Sequence, residues 1–322
     1  MFKTLISDTI YNRINSAEEK KQPKAQSYLY KVLKKQPVTV LSKAETERLK
    51  NQPENVLKNP SSLFILDIPE EKAKNIQKDY GVICLSGENP DISLLIDIND
   101  EHTTEELEPL EKGWDSVLDS VEHLPSNGLI LTDRYLFNND NPNYGNGFDN
   151  VHSILTELLP DELKTTYYIT IIFDKDKLDS NYDFNYIAKE LNSVVDSFRQ
   201  KYNYPIILEV LGITKKNRMY HHLHNRRIVS NYFVVKMDYS LAAFNKTKGT
   251  AEQTIIPQVL FTEDSLTGVS SPPLKSLQQI TKNLKKFSQA LLWSSTIHST
   301  YKYAVNGERK EKCYAIRNRL IK

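Results

Sequence analysis

Between about residues 126 and 246, apolar segments typical of β-strands alternate with segments typical of amphipathic helices. This order limits the possible folds more than any other feature of the chain. The strand-like segments are rich in Ile, Leu, Val, Phe and Tyr and cover residues 128–137, 167–173, 205–211 and 228–235. Apolar residues at helical spacing occupy residues 151–159 and 184–198. Because parallel neighbouring strands need a crossover helix, the pattern predicts an α/β fold whose mixed or parallel sheet is flanked by helices on both faces.

In the preceding region, residues 1–123, the sequence pattern predicts a helical segment followed by a small α/β domain. Apolar runs at 62–68 and 81–86 enclose a segment with a helix-start signal, which is a β-α-β order. Ser42 and Glu45 have the spacing of a capping box, which predicts another helix start.

The following region, residues 247–322, begins as a loop-rich linker and continues as a helix with an apolar stripe over residues 274–291. From Pro273 onward, eleven Lys or Arg stand against two acidic residues. A basic helical tail of this kind attracts phosphate backbones regardless of sequence, and a solubilising surface is the alternative interpretation. We therefore divide the chain into residues 1–123, 124–246 and 247–322.

The composition favours a cytoplasmic protein. Its two cysteines, Cys84 and Cys313, lie far apart, and charged residues interrupt the N-terminus too early for a secretory signal. We find no apolar run that approaches the ~18 residues of a transmembrane helix. We also find no cofactor motif, so we expect neither a transmembrane segment nor a cofactor.

The residues best suited to chemistry lie in segment 220–235, where three of the seven histidines and two arginines precede the last strand-like run. Alternate residues of a strand share a face, so His222, His224 and Arg226 are expected to point the same way. A histidine and an arginine two positions apart can together bind a phosphate group. The two histidines could also hold a metal ion, but no cysteine or carboxylate nearby completes a zinc site, and we predict none.

The spacing His224-x-Arg226-x-x-x-x-Asn231 resembles the H-x-K-x4-D motif of the phospholipase D superfamily. It is most similar to the phospholipase-D-like domain at the C-terminus of MIT-domain proteins, where H-D-R is followed by a carboxylate. Residues 240–244, Ser-Leu-Ala-Ala-Phe, occupy the place of that family's G-L-D-x-F element and keep its Leu and Phe. The resemblance covers about residues 126–246 and implies a single phospholipase D-like lobe.

In active members of that family, one histidine attacks the phosphodiester, a second protonates the leaving group, and a lysine neutralises the phosphate. The resemblance implies catalytic roles for His224 as nucleophile, Arg226 in place of the lysine and Asn231 in place of the carboxylate. Because this chain carries one motif, catalysis requires a homodimer that brings two copies of His224 together. An amide cannot stabilise the imidazolium by charge, and a comparable Asp-to-Asn change in serine proteases costs about 10⁴ in rate.

The opening strand of the same region carries Asp133 and Tyr135, which are expected to line the cleft beyond the strand ends. Asp133 could supply the carboxylate that position 231 lacks.

The leading hypothesis is a homodimeric phospholipase D-like protein that binds phosphate groups of nucleic acid, with weak or lost catalysis. The phosphate-binding residues that we predict are His222, His224, Arg226, Asp133 and Tyr135. One alternative is an active metal-independent nuclease or phosphodiesterase that uses His224 as nucleophile. Another is a protein or membrane adaptor, as the MIT-linked relatives suggest. The general character of the sequence also suggests a bacterial defence setting.

Overall fold

The chain forms an α/β fold in the computed structural model, as the alternating pattern predicts. Two large sheets and one short two-stranded pair contain the described strands. The structure describes residues 3–16, 24–88, 90–96, 105–106, 113–138, 146–217, 220–221, 226–237, 240–242, 244–245, 249–250, 254–261, 278–279, 282–283, 285–286, 289, 301–311 and 316–321.

The first sheet is built from the first part of the chain, and we call the described residues within 3–96 the N-terminal region. Its strands are β1 (Thr4–Ser7), β2 (Val38–Leu41), β3 (Leu63–Leu66) and β4 (Cys84–Ser86). They pair in parallel in the order β2-β1-β3-β4. The helices of this region are α1 (Asp8–Ser16), α2 (Lys24–Lys35), α3 (Lys43–Asn51), α4 (Glu70–Tyr80) and α5 (Ser93–Ile96), with a 3₁₀ helix at Pro53–Lys58. The predicted capping box is confirmed at α3, where Ser42 Oγ accepts from the Glu45 amide at 3.3 Å and Glu45 Oε2 accepts from the Ser42 amide at 2.9 Å.

The second sheet is mixed and larger. Its strands are β5 (Glu105–Glu106), β6 (Gly128–Thr132), β7 (Tyr167–Asp174), β8 (Ile206–Ile213), β9 (Arg226–Ser230), β10 (Phe233–Met237), β13 (Thr254–Val259), β14 (Tyr301–Val305) and β15 (Glu308–Lys310). Their order is β15-β14-β8-β7-β6-β9-β10-β13-β5, and the central three strands, β6 to β8, are parallel. The remaining strands, β11 (Phe244–Asn245) and β12 (Gly249–Thr250), pair with each other. The helices are α6 (Trp114–Glu122), α7 (Gly147–Leu158) and α8 (Phe184–Lys201), with 3₁₀ helices at Lys175–Lys177 and Arg319–Ile321.

The prediction of a linker and a helical tail after residue 246 is wrong where the structure describes strands. The strand β13 pairs with β10, and β14 pairs with β8, so both extend the second sheet. The physical reason is that β8 and β10 would otherwise leave backbone hydrogen-bonding groups unpaired along a sheet edge. Of the helix predicted over residues 274–291, only residues 278–279, 282–283, 285–286 and 289 are described, and they are helical. The rest of that helix and most of the acidic segment 100–112 lie outside the described residues.

The second sheet is covered on both faces by different parts of the chain. We call the side that carries Leu129, Ile171 and Ile228 the helix face, because α6, α7 and α8 pack on it. We call the other side the N-terminal face. Its apolar residues share one core with residues of β1, α1 and α2. The N-terminal region is therefore a covering layer of the second sheet, and its core is continuous with that sheet.

Specific polar contacts join the N-terminal region to the second sheet. The buried Tyr232 hydroxyl accepts from the Ile83 amide and donates to the Ser62 carbonyl, both at 2.8 Å. Gly81 ends α4 in the left-handed conformation, with φ of 61°. A Cβ atom there would lie 2.1 Å from the carbonyl oxygen of Ser126, so this close approach requires glycine.

A buried carboxylate holds the C-terminal segment on the N-terminal face. Glu209 of β8 is fully buried, and its two oxygens accept four hydrogen bonds. The donors are the Tyr303 hydroxyl at 2.9 Å, the Thr170 hydroxyl at 3.2 Å, the Arg317 amide at 2.8 Å and the Asn318 amide at 3.2 Å. Burial raises the pKa of Glu209 above its ordinary value of 4.5, against the lowering effect of these bonds.

We expect Glu209→Gln to lower the free energy of unfolding by about 1–3 kcal/mol, because either amide orientation sets an N–H group against a backbone N–H group. The pKa of Glu209 is higher in the folded protein than in the unfolded chain. The free energy of unfolding of the wild-type protein therefore falls as the pH rises above 4.5 and Glu209 ionises. The difference between the two proteins in urea denaturation should therefore change with pH in that range. The control is Glu308→Gln, whose side chain is 77% exposed and which should change stability little. Equal effects of the two substitutions would contradict the proposed role of Glu209.

Candidate functional site

Charged side chains gather where the parallel strands of the second sheet end. Because β6, β7 and β8 are parallel, their carboxyl ends lie on one edge of the sheet. The strand β9 runs antiparallel to β6 and places Arg227 opposite Thr132, so β9 begins at the same edge. We call this the carboxyl edge. It is the side on which open α/β sheets bind ligands, and it brings together Asp133, Tyr135 and Arg226 of the predicted site.

Asp133 is a buried anchor at this edge. Its Oδ2 accepts from the Ser240 hydroxyl and the Leu241 amide, both at 2.6 Å, and its Oδ1 accepts from the Tyr135 amide at 2.8 Å. The Arg226 Nε lies 3.9 Å from Oδ1. Burial raises the pKa of Asp133, while these hydrogen bonds and the Arg226 charge act to lower it. A fully buried and engaged carboxylate does not contact a phosphate ligand, so we correct the predicted binding role of Asp133 to that of a residue positioning Arg226 and residues 240–241.

A second buried carboxylate holds a second arginine. Asp174, at the end of β7, lies 3.3 Å through Oδ2 from Arg134 Nε, and its Oδ1 accepts from the Asp176 amide at 2.9 Å. The Arg134 guanidinium lies 4.6 Å from the Tyr220 ring centre. Burial raises the pKa of Tyr220, and the nearby Asp174 carboxylate raises it further.

One tyrosine ring lies beside both arginines. The Tyr135 ring centre is 5.1 Å from the Arg134 guanidinium and 5.6 Å from that of Arg226, distances typical of cation–π contacts. The side chains of Arg134 and Arg226 remain 11% and 18% exposed. We call Arg134, Tyr135, Tyr220 and Arg226 the arginine–tyrosine cluster. Its predicted members are Tyr135 and Arg226.

Arg134, Asp174 and Tyr220 are residues of the site that were not predicted from the sequence. A signal was present, because Asp133-Arg134-Tyr135 and Asp174 are polar groups directly at the ends of buried parallel strands. Which carboxylate holds which arginine could not be read from spacing, because Arg134 and Asp174 are 40 residues apart in sequence and Asp133 and Arg226 are 93 residues apart.

The carboxyl edge carries an excess of positive charge. Its described segments are residues 132–138, 174–179, 213–217, 226–227 and 236–237, and together they contain eight Lys or Arg and four Asp. The two most buried of these acids already hold arginines, so the excess positive charge is directed toward solvent and any ligand there.

The structure places Asn231, which was predicted to take the place of the family's carboxylate, at the other end of β9 from Arg226. Asn231 lies in the turn after β9, five residues from Arg226 along an extended chain, which is about 16 Å. Its Oδ1 accepts from the Asn127 amide at 3.0 Å, and its Nδ2 donates to the Pro60 carbonyl at 2.7 Å and to Asn127 Oδ1 at 3.2 Å. This fully buried side chain fixes the β9–β10 turn against the N-terminal region.

The predicted His222 and His224 lie outside the described residues. Their neighbour His221 is described and exposed, with its ring centre 6.2 Å from that of Tyr220. Among the described residues, no group of three or more His, Cys, Asp or Glu side chains is arranged to hold a metal ion. Within the same described ranges, every helix is too short or too polar to span a membrane.

The chain matches no protein-family model, and comparison with curated proteins gives no match. The resemblance to phospholipase D therefore depends on the motif in segment 224–231 and the order of elements around it.

We expect Asp133→Asn to lower the free energy of unfolding by about 1–3 kcal/mol, because its amide group opposes one of the buried N–H donors. Exchange of the Leu241 amide with deuterium should become faster, since this amide loses its carboxylate acceptor. The matched control is Asp176→Asn, at the same edge but exposed. If Leu241 stayed equally protected in both variants, Asp133 would not be the anchor of this segment.

Proposed function

We propose that the chain binds phosphate groups of nucleic acid at the carboxyl edge, as a homodimer and with weak or no turnover. The observation that carries this proposal is the pair of partly exposed arginines, Arg134 and Arg226, beside one tyrosine ring, each held by a buried carboxylate. A guanidinium group can bind phosphate through two parallel hydrogen bonds. Because the carboxylates hold both side chains in place, binding requires less loss of side-chain entropy.

The charge of the edge supports a polyanion as the ligand. Eight cationic and four anionic side chains in the described edge segments attract a phosphate backbone regardless of its sequence. The basic C-terminal residues were expected to add to this attraction, but the described Arg319 lies at the amino end of β7, where it donates to the Thr166 carbonyl.

Aromatic rings at the same edge, one of them exposed and two half-buried, support nucleic acid over a free phosphate ion. The helices α7 and α8 begin at this edge because they follow β6 and β7. Phe148 in the first turn of α7 lies close to Tyr182, just before α8, and to Tyr186 in the first turn of α8. The two tyrosine rings are stacked, with centres 5.2 Å apart and planes 2° apart, and Tyr186 is 44% exposed. A positively charged surface with aromatic rings is typical of proteins that bind single strands through backbone and base stacking.

The contacts of the carboxylates favour binding over cleavage. The resemblance to phospholipase D implies a carboxylate that orients the catalytic histidine. Asn231 lies far from Arg226, and the neighbouring Asp133 and Asp174 are engaged by arginines and backbone amides. The homodimer in the proposal comes from the same resemblance, in which two motifs face each other.

We expect Arg226→Met to weaken binding of a labelled single-stranded oligonucleotide about tenfold or more, because charge-assisted hydrogen bonds contribute about 1.5–3 kcal/mol each. The slope of log affinity against log salt should become shallower by about 0.7. Fluorescence anisotropy over a range of salt concentrations measures both quantities. Arg226→Lys keeps the charge next to Asp133 and should lose less affinity, which separates binding from folding.

The matched control for this experiment is Arg48→Met, which removes an exposed arginine from α3 in the N-terminal region. Its affinity should equal that of the unchanged chain. A similar loss of affinity in Arg48→Met and Arg226→Met, or binding that does not change with salt, would contradict the proposed site.

The absence of turnover is tested separately. We expect labelled DNA and RNA to remain intact after incubation with the protein, with or without a chelator. The native mass should be that of a dimer. Cleavage that survives the chelator and disappears in His224→Ala would contradict a binding-only role and would support the metal-independent nuclease hypothesis.

A further inference from the structure

Two basic residues lie side by side on the N-terminal face of the second sheet. Arg227 of β9 and Lys236 of β10 are directly opposite each other in the antiparallel register. They share the face of Val229 and Val234, whereas the neighbouring Arg226 points to the helix face. Side chains at opposed positions have Cβ atoms about 5 Å apart, so both cationic groups can reach one small ligand.

Unlike the arginines of the cluster, this pair lacks a neutralising carboxylate in the described part of the chain. Arg226 and Arg134 each lie beside a buried Asp, but neither Arg227 nor Lys236 forms an ion pair with a described residue. The Arg227 Nε is buried and has no hydrogen-bond partner among the residues that the structure describes. Burial lowers the pKa of Arg227, and burial together with the Arg227 charge lowers the pKa of Lys236.

Such an arrangement is unfavourable without an anion. Like charges directly opposite on neighbouring strands repel each other, and a buried donor without an acceptor costs free energy. Both side chains are nevertheless only partly buried, so a small ion can reach them from solvent. The row continues to Thr132 of β6, which lies opposite Arg227 and carries a hydroxyl on the same face.

We propose that Arg227 and Lys236 form a second anion site, for a phosphate-type oxyanion, on the N-terminal face near the carboxyl edge. The ligand class follows from the chemistry of the pair. Two positive charges match a dianion, and a guanidinium group beside an ammonium group supplies donors in several directions to a tetrahedral set of oxygens. The site is on the opposite side of the sheet from the arginine–tyrosine cluster, and its existence does not depend on the function proposed for that cluster.

Thermal unfolding with increasing inorganic phosphate, at constant ionic strength set with chloride, tests this site. We expect phosphate to raise the Tm of the unchanged chain. Lys236→Met should raise the Tm without phosphate, because it removes the repulsion, and should weaken the phosphate-dependent rise. Arg227→Gln should also weaken that rise, and in calorimetric titration both variants should bind phosphate at least about tenfold more weakly.

Two controls separate this site from other effects of phosphate. Lys302→Met removes a half-buried lysine from β14 of the same sheet and should keep the full phosphate-dependent rise in Tm. Arg226→Met should keep the contribution of the Arg227–Lys236 site to the phosphate-dependent rise in Tm, which Lys236→Met and Arg227→Gln lose. The proposal would be overturned if both Lys236→Met and Arg227→Gln kept the full phosphate-dependent rise in Tm. It would also be overturned if phosphate raised the Tm of the wild-type chain no more than chloride does.

The source of the phosphate group is distinguished by a parallel titration with adenosine 5′-monophosphate. Binding of the nucleotide that is lost in Lys236→Met supports a site for a phosphorylated ligand. Binding of inorganic phosphate alone, again lost in Lys236→Met, supports a site for the free ion.

Discussion

The burial of β6, β7 and β8 on both faces is the constraint on which the rest of this structure depends. A parallel sheet of this kind is stable only if both of its apolar faces are covered. Helices α6 to α8 cover one face, and the N-terminal region covers the other with α1, α2 and its own sheet. Polar groups inside such a sheet must find partners within the protein, and Glu209 does so by ordering the C-terminal segment around it. The first and last parts of the chain thus belong to the same core.

Because the faces are covered, the two ends of the strands are left for polar residues, and the two ends have different roles. At the amino end, Asn231 and Tyr232 bind backbone groups of the N-terminal region and hold the covering layer in place. At the carboxyl end, Arg134 and Arg226 are held by carboxylates with their guanidinium groups still partly exposed. Asn231 fits the position of a family motif by spacing. The five-residue strand β9 nevertheless places it at the amino end of the parallel strands, away from Arg226 at the carboxyl end. Spacing along a strand does not distinguish the ends of a sheet, whereas the pairing register does.

The sequence predicted the elements whose evidence is local, and missed those that depend on distant pairing. The strands and helices between residues 128 and 211 follow from apolar periodicity, and the start of α3 follows from its capping box. The strand β14 could not be predicted in the same way, because it pairs with β8 across about ninety residues of intervening chain. The same distinction applies to the residues of the site. Tyr135 and Arg226 were predicted from the sequence, by their position at a strand end and by motif spacing. The partners of Asp133 and Asp174 depend on how separate strand ends meet.

The adjacent Arg226 and Arg227 show how one strand can serve two faces with opposite electrostatic conditions. Arg226 has a carboxylate beside it and a defined position in the cluster, whereas Arg227 faces Lys236. The same β9–β10 hairpin carries Asn231 and Tyr232 at its turn, which hold the N-terminal region. An anion bound between Arg227 and Lys236 offsets the repulsion between them. It thereby stabilises the β9–β10 hairpin, which connects the second sheet to the N-terminal region.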